Sequence, residues 1–124
     1  MKAAGAAAEG VIFPAGRLLV ADALPAKNPQ KAVLVSYKKA YEARYKEDVS
    51  TFGGHAYDAL TILVQAIKQV GPDREKVRAA IEGTKGLVGT AGVFAFSPTD
   101  HNGLDLDAFE MLTVKDGKFV VLAK

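Results

Sequence analysis

Cysteine is absent from this 124-residue chain, which removes a thiol nucleophile, a disulfide framework and any thiolate-bound metal together. The same absence suits reducing and oxidising compartments alike and chooses neither. Histidine is scarce, with only His55 and His101 available for imidazole chemistry. Charge of one sign is not concentrated anywhere. The 16 basic and 14 acidic residues leave a formal charge of +2, and the longest basic clusters are pairs such as Lys38-Lys39, so no electrostatic footprint for nucleic acid stands out. Long apolar runs are missing too. The opening MKAAGAAAEGVIF has a weak apolar stretch broken by Glu9 and Gly10, which reads neither as a signal peptide nor as a membrane span.

What is present fits a globular α/β chain with one core: 49% of residues are hydrophobic and 24% charged, at a length that predicts one domain. Val11-Ile12-Phe13, ended by Pro14 and Gly16, predicts a short strand buried on both faces. Arg17 to Lys27 mixes apolar residues with Asp22 and Pro25 and reads as an irregular connector. Asn28-Pro29 predicts a helix start, since Asn accepts a backbone N–H and proline at the first helical position sacrifices only an unpaired donor. That helix runs to about Lys46, with Val33, Tyr37, Tyr41 and Tyr45 in one stripe that packing alone explains.

Ser50 or Thr51 caps a second, central helix whose Ala56, Leu60, Leu63, Val64 and Ile67 carry so few charges that it must be covered on most sides. Gly71-Pro72 stops it, and Asp73 caps a third helix that buries Val77, Ala80 and Ile81 before Gly83. Strand character follows at Val93 to Phe96, then turn chemistry from Ser97 to Gly103. Phe109 to Val114 and Lys118 to Leu122 flank Asp116-Gly117 and predict a hairpin with a type I′ turn.

Unusual residues are densest in STFGGHAYDAL, at the entry to the central helix. A helix N-terminus offers unpaired N–H groups and a positive dipole end to an anionic ligand group, and paired glycines permit close approach to the backbone. A plain tight turn into a buried helix explains the same residues. His55 and Asp58, three apart, share a helix face, but no nucleophile accompanies them, so a surface pair is the better reading and catalysis an outside one. Around His101, the acids Asp100, Asp105 and Asp107 lack the alternating ligands and closing glutamate of a calcium loop. GTKGLVGTAG lacks the order of residues that cradles phosphate.

Taken in order, AEGVIFPAG, the aromatic rhythm of NPQKAVLVSYKKAYEARYKE, FGGHAYDALTILVQAIKQVG, IEGTKGLVGTAGVFAFSPTDHNG and FEMLTVKDGKFVVL resemble the C-terminal portion of the type I periplasmic solute-binding proteins of branched-chain amino acid ABC importers. No one of these motifs is diagnostic; five in family order and spacing carry the resemblance. It implies part of a two-lobed α/β receptor: about three helices packed on a small sheet with a C-terminal β-hairpin, divided into a strand and crossover (1–27), a helical part with a short strand (28–103), and a crossover with hairpin (104–124).

The resemblance also implies a non-enzymatic binding module of the periplasm with no cofactor or metal. Its ligand would be a branched-chain amino acid or similar small solute, and its partner an ABC permease in the membrane. Phe52, Gly54 and His55 match the stretch expected at the ligand cleft, with Phe13 and Pro14 as a second pair near a crossover. Because most of one lobe has no counterpart, the chain is expected to be a fragment whose export signal lies on a longer parent. Its uncovered apolar faces are expected to drive a homodimer or a domain-swapped oligomer. The rival reading is a stand-alone interaction domain that pairs through the tyrosine stripe or the hairpin and takes no small ligand.

Overall fold

The computed structural model describes residues 4–122. Eight main elements follow one another: β1 (Ile12–Gly16), α1 (Lys31–Tyr45), α2 (Thr51–Val70), α3 (Arg74–Glu82), β2 (Lys85–Val88), β3 (Val93–Ala95), β4 (Phe109–Lys115) and β5 (Lys118–Val121), with short 3-10 turns at Gly5–Ala8, Arg17–Ala23 and Leu106–Ala108. Strands β1, β4 and β5 form an antiparallel sheet in that order, and β2 and β3 form a separate antiparallel pair. The result is the expected α/β arrangement of three helices on small sheets.

The first half of the core lies under the three-stranded sheet. Register pairs Phe13 with Leu112 and Ala15 with Glu110, and Val114 with Phe119, so these side chains share the inner face. Phe13, Ala15, Leu112 and Phe119 pack with Leu18, Val20, Ala21, Leu24 and Leu34. The segment from Arg17 to Ala23 is therefore no loose connector: its apolar residues fold into 3-10 turns that fill the space between sheet and α1. Strand β1 is half-buried on one face only, through Phe13 and Ala15, with Ile12 56% exposed on the other. A continuous apolar run cannot tell one buried face from two.

Helix α1 starts two residues later than Asn28-Pro29 suggests. Asn28 instead uses Oδ1 to accept the Gln30 N–H at 2.9 Å, holding a turn that delivers Gln30 inward. The helix ends where Lys46 adopts a left-handed conformation, φ 58°. Its most buried residue is Leu34 rather than any tyrosine. The tyrosines form a ladder instead, Tyr57 against Tyr37, Tyr37 against Tyr41 and Tyr41 against Tyr45, with ring centroids 5.1, 5.9 and 4.8 Å apart.

The second half is thinner. Ala91, Phe94 and Phe96 pack with Ile62, Ile81, Leu87 and Leu104 between α2, α3 and the small pair of strands. Ser50 caps α2 by accepting the Gly53 N–H at 3.2 Å, and Asp73 caps α3 through the Lys76 N–H at 3.0 Å. Strand β2 bulges at Gly86, whose φ of +72° favours glycine. Contrary to the expectation of a covered central helix, α2 buries only Gly54, Asp58 and Ala66, and Leu60 is 62% exposed. The C-terminal hairpin turns at Asp116-Gly117 with φ of 51° and 67°, and Glu9 holds that turn by accepting N–H groups from Asp116 and Gly117 at 3.0 and 2.6 Å.

Candidate functional site

Paired glycines at the start of α2 are a matter of approach. A Cβ at Gly53 would stand 2.8 Å from the Tyr37 hydroxyl, and one at Gly54 would stand 2.6 Å from Thr90 Oγ1 and 2.9 Å from Leu18 Cδ2. Each glycine thus lets a different neighbour, α1 or the loop between β2 and β3, lie against the helix backbone. Burial raises the Tyr37 phenol above its ordinary pKa, assisted by Tyr41 and Asp58.

Asp58 makes no exposed pair with His55. It is 2% exposed, and its carboxylate accepts the Thr90 N–H at 2.7 Å, the Thr90 hydroxyl at 3.0 Å and the Ala91 N–H at 2.8 Å. Successive backbone N–H groups of a glycine-bounded loop make an anion-binding concavity; here the protein's own carboxylate fills it. This is why GLVGTAG is glycine-rich without being a phosphate loop. Gly89 must stay bare as well, since a Cβ there would come within 2.8 Å of Asp58 Cγ and 2.7 Å of Phe94.

The far side of the same loop is held from the other half of the molecule. Gln30, itself buried, donates from Nε2 to the carbonyls of Gly89 and Thr90 at 3.0 and 3.2 Å and accepts from Arg17 at 3.0 Å. Arg17 also donates to Glu110 at 3.1 Å and to the carbonyls of Asp107 and Phe109. A single polar chain therefore runs from β4 through Arg17, Gln30 and the 89–92 loop to α2.

Beside this chain lies a groove of about 490 Å³. Its apolar wall is Phe13, Leu19, Leu104 and Phe109, and its polar wall is Thr51, His55, Thr90, Asn102 and Asp105. Of the five residues singled out in the sequence, Phe13, Pro14 and His55 line this groove. Gly54 is buried behind it against Thr90. Phe52 does not line it and is 86% exposed. Sequence reasoning weighed Asp105 only as a calcium ligand and missed Thr90 and Asn102; all three reach the groove from turns whose position depends on the fold, and no spacing relative to α2 announces them.

Among the described residues, no Lys or Arg lines this groove. Its ionisable groups are His55 and Asp105, and one Asp105 oxygen already accepts the Asp107 N–H at 3.0 Å. Asp100 likewise caps the following turn, accepting from Asn102 and Gly103. Among the described residues, no three metal-ligating side chains gather at one point. His101 lies elsewhere, 3.1 Å from Glu82, in a shallow depression with Arg74, Arg78 and Phe96. The hydrogen bond from Arg78, with Arg78 and His101 as neighbouring charges, holds the Glu82 carboxyl below its usual range.

A family model described as "Periplasmic binding protein" matches residues 1–118. Among solved structures, an extracellular ligand-binding receptor from Rhodopseudomonas palustris HaA2 is 29% identical with a TM-score of 0.87, covering 98% of this chain and 37% of that one. A leucine-binding protein from Thermotoga maritima is 27% identical, TM-score 0.74, covering 98% and 32%. An ABC-transporter solute-binding protein from R. palustris, solved with benzoate, is 28% identical, TM-score 0.73, covering 98% and 31%. The chain thus spans about a third of the length of the structures it matches. No curated protein matches it.

Proposed function

Because the chain belongs to the periplasmic binding protein family, we propose that it contributes one wall of the solute cleft of a periplasmic receptor that delivers its ligand to a membrane ABC permease. The observation that carries this reading is the groove in which β1, the start of α2 and the turn at 102–105 converge. Relatives include a leucine-binding protein and a protein solved with benzoate, and both solutes join a carboxylate to an apolar body. We take the same class as the ligand: a branched-chain or related amino acid, or a small apolar carboxylate.

The groove has a counterpart for each part of such a solute. The first N–H group of α2, at Thr51, has no partner within the helix, and the dipole end and the His55 imidazole favour an anion beside it. Phe13, Leu19, Leu104 and Phe109 suit the apolar body, and Asp105 suits an ammonium group. No chemical step is part of the proposal, because binding and release are all that such a site requires and Asp58 is wholly committed to the 89–92 loop.

Calorimetry on this chain completed by the other wall of its cleft, with leucine, valine, benzoate and the neutral analogue benzamide, tests it. Saturable heats with the three carboxylates and little with benzamide are expected, and His55→Asp, which sets a like charge against the carboxylate, weakens binding by at least about tenfold, or 1.4 kcal/mol. No heat with any carboxylate, or equal heats for benzoate and benzamide, sinks the assignment. The second reading, a self-association module with no small ligand, has one observation in its favour: the apolar face that α2 leaves open.

A further inference from the structure

Buried polar side chains are few, and they meet at one place. Among the described residues they are Gln30, Asp58 and Thr90, and all three belong to the 89–92 loop or hold it. Two successive peptide groups of that loop are bonded at both ends. The carbonyls of Gly89 and Thr90 accept from the Gln30 amide, and the N–H groups of Thr90 and Ala91 donate to the Asp58 carboxylate. Carbonyl and N–H point opposite ways across a trans peptide, so Gln30 and Asp58 grip the loop from opposite sides.

Stability alone does not ask for this arrangement. Replacing buried hydrogen-bonding partners by apolar groups of the same shape is close to neutral, whereas a fully satisfied buried network fixes one geometry. What is fixed here is a wall of the groove. Thr90 and Ala91 line it, while Gln30, Asp58 and Arg17 stand behind it. From Gln30 Oε1 the network continues to Arg17, whose guanidinium also donates to the carbonyls of Asp107 and Phe109. Phe109 and the intervening Ala108 line the groove as well. Two separate stretches of groove backbone therefore take their position from one Arg17–Gln30 pair.

We propose that Gln30 is a positioning residue of the groove: by tying the backbone at 89–90 to Arg17, it sets the spacing between the 90–91 and 108–109 walls and with it the size of solute admitted. This rests on reading the groove as the solute site. The amide is specific to the task. Both N–H groups of Nε2 find a carbonyl and Oε1 finds a guanidinium, a set that neither a carboxylate nor an apolar side chain reproduces. Glutamate in its place keeps a partner for Arg17 but turns an oxygen toward two carbonyl oxygens.

The test compares Gln30→Glu and Gln30→Met, made in the chain completed by the other wall of its cleft, with Val114→Ala, which thins the core at a buried position outside the groove. Calorimetry uses two pairs of solutes one carbon apart, leucine with valine and p-toluate with benzoate. Each Gln30 variant is expected to weaken binding about tenfold and to change the affinity ratio within the bound pair by about threefold or more. Val114→Ala should lower the urea midpoint and leave that ratio unchanged. Without solute, amide exchange at Thr90 and Ala91 should quicken in the Gln30 variants relative to the amides of α2. The uncharged Gln30→Met carries the test should Gln30→Glu fail to fold. A Gln30 variant that loses affinity but keeps the parent's ratio is destabilised only and overturns the inference, as does unchanged exchange at Thr90 and Ala91. A completed parent that binds neither pair takes down the reading of the groove and this inference with it. A parent that binds, matched by Gln30→Glu in affinity and ratio, overturns the inference alone.

Discussion

The two halves of this molecule use similar apolar material to different effect. Under the three-stranded sheet, Leu34 and Leu112 are 0% exposed, because sheet, 3-10 turns and α1 enclose them from three sides. Around α2, residues of the same type lie open, and the buried part of the helix is Gly54, Asp58 and Ala66. The first half is closed by greasy contact; the second is pinned to it by hydrogen bonds through the 89–92 loop. Apolar content alone does not make a core: a partner surface must be within reach.

The sharpest way to break that contrast is at the pin. Asp58→Ala leaves the N–H groups of Thr90 and Ala91 buried without an acceptor, and the expected loss is roughly 4 kcal/mol, read from the urea midpoint. Such a loss is a large part of the stability of a small domain. A midpoint within experimental error of the parent would show that the loop is held by packing and not by the carboxylate.

Paired substitutions compare the halves directly. Leu112→Ala removes a fully enclosed side chain and should cost about 3 kcal/mol. Leu63→Ala, on the open stripe, should change the stability of the isolated monomer by no more than about 0.5 kcal/mol. Equal costs in dilute solution would mean that α2 is covered within the single chain, and the contrast would fall.

The smallest effect concerns pH. Glu82 has its carboxyl held below its ordinary pKa by the Arg78 hydrogen bond, with His101 adding to it. A depressed carboxylate stabilises the fold fully above its unfolded value and loses that contribution as pH falls through the lowered one. Glu82→Gln should therefore melt slightly below the parent at neutral pH, and the gap should close on acidification below the ordinary glutamate value of 4.5. A gap that widens in acid would reverse the assignment of the ion pair.

Much of the fold was legible because the signals are local. Ser50 and Asp73 cap α2 and α3 through their own side chains, and Asp116-Gly117 meets the φ requirement of its turn within two residues. The order of five motifs placed the chain in its family. Less was legible where the partner is distant in sequence. The segment Arg17–Ala23 reads as a connector until sheet and α1 enclose it. Asp58 pairs on paper with His55, three residues away, yet in space it belongs to Thr90 and Ala91. The groove joins residues from 13 to 109, so its polar wall could not be assembled from spacing.

The sequence by itself determined the caps, the stops, the hairpin and the absence of thiol chemistry, because each depends on residues within a turn or two of one another. Tertiary structure alone decided which apolar faces are enclosed, which carboxylate is buried and where a solute can lie. Those outcomes depend on solvent exclusion between segments far apart in the chain, and periodicity along one segment does not say what will stand opposite it.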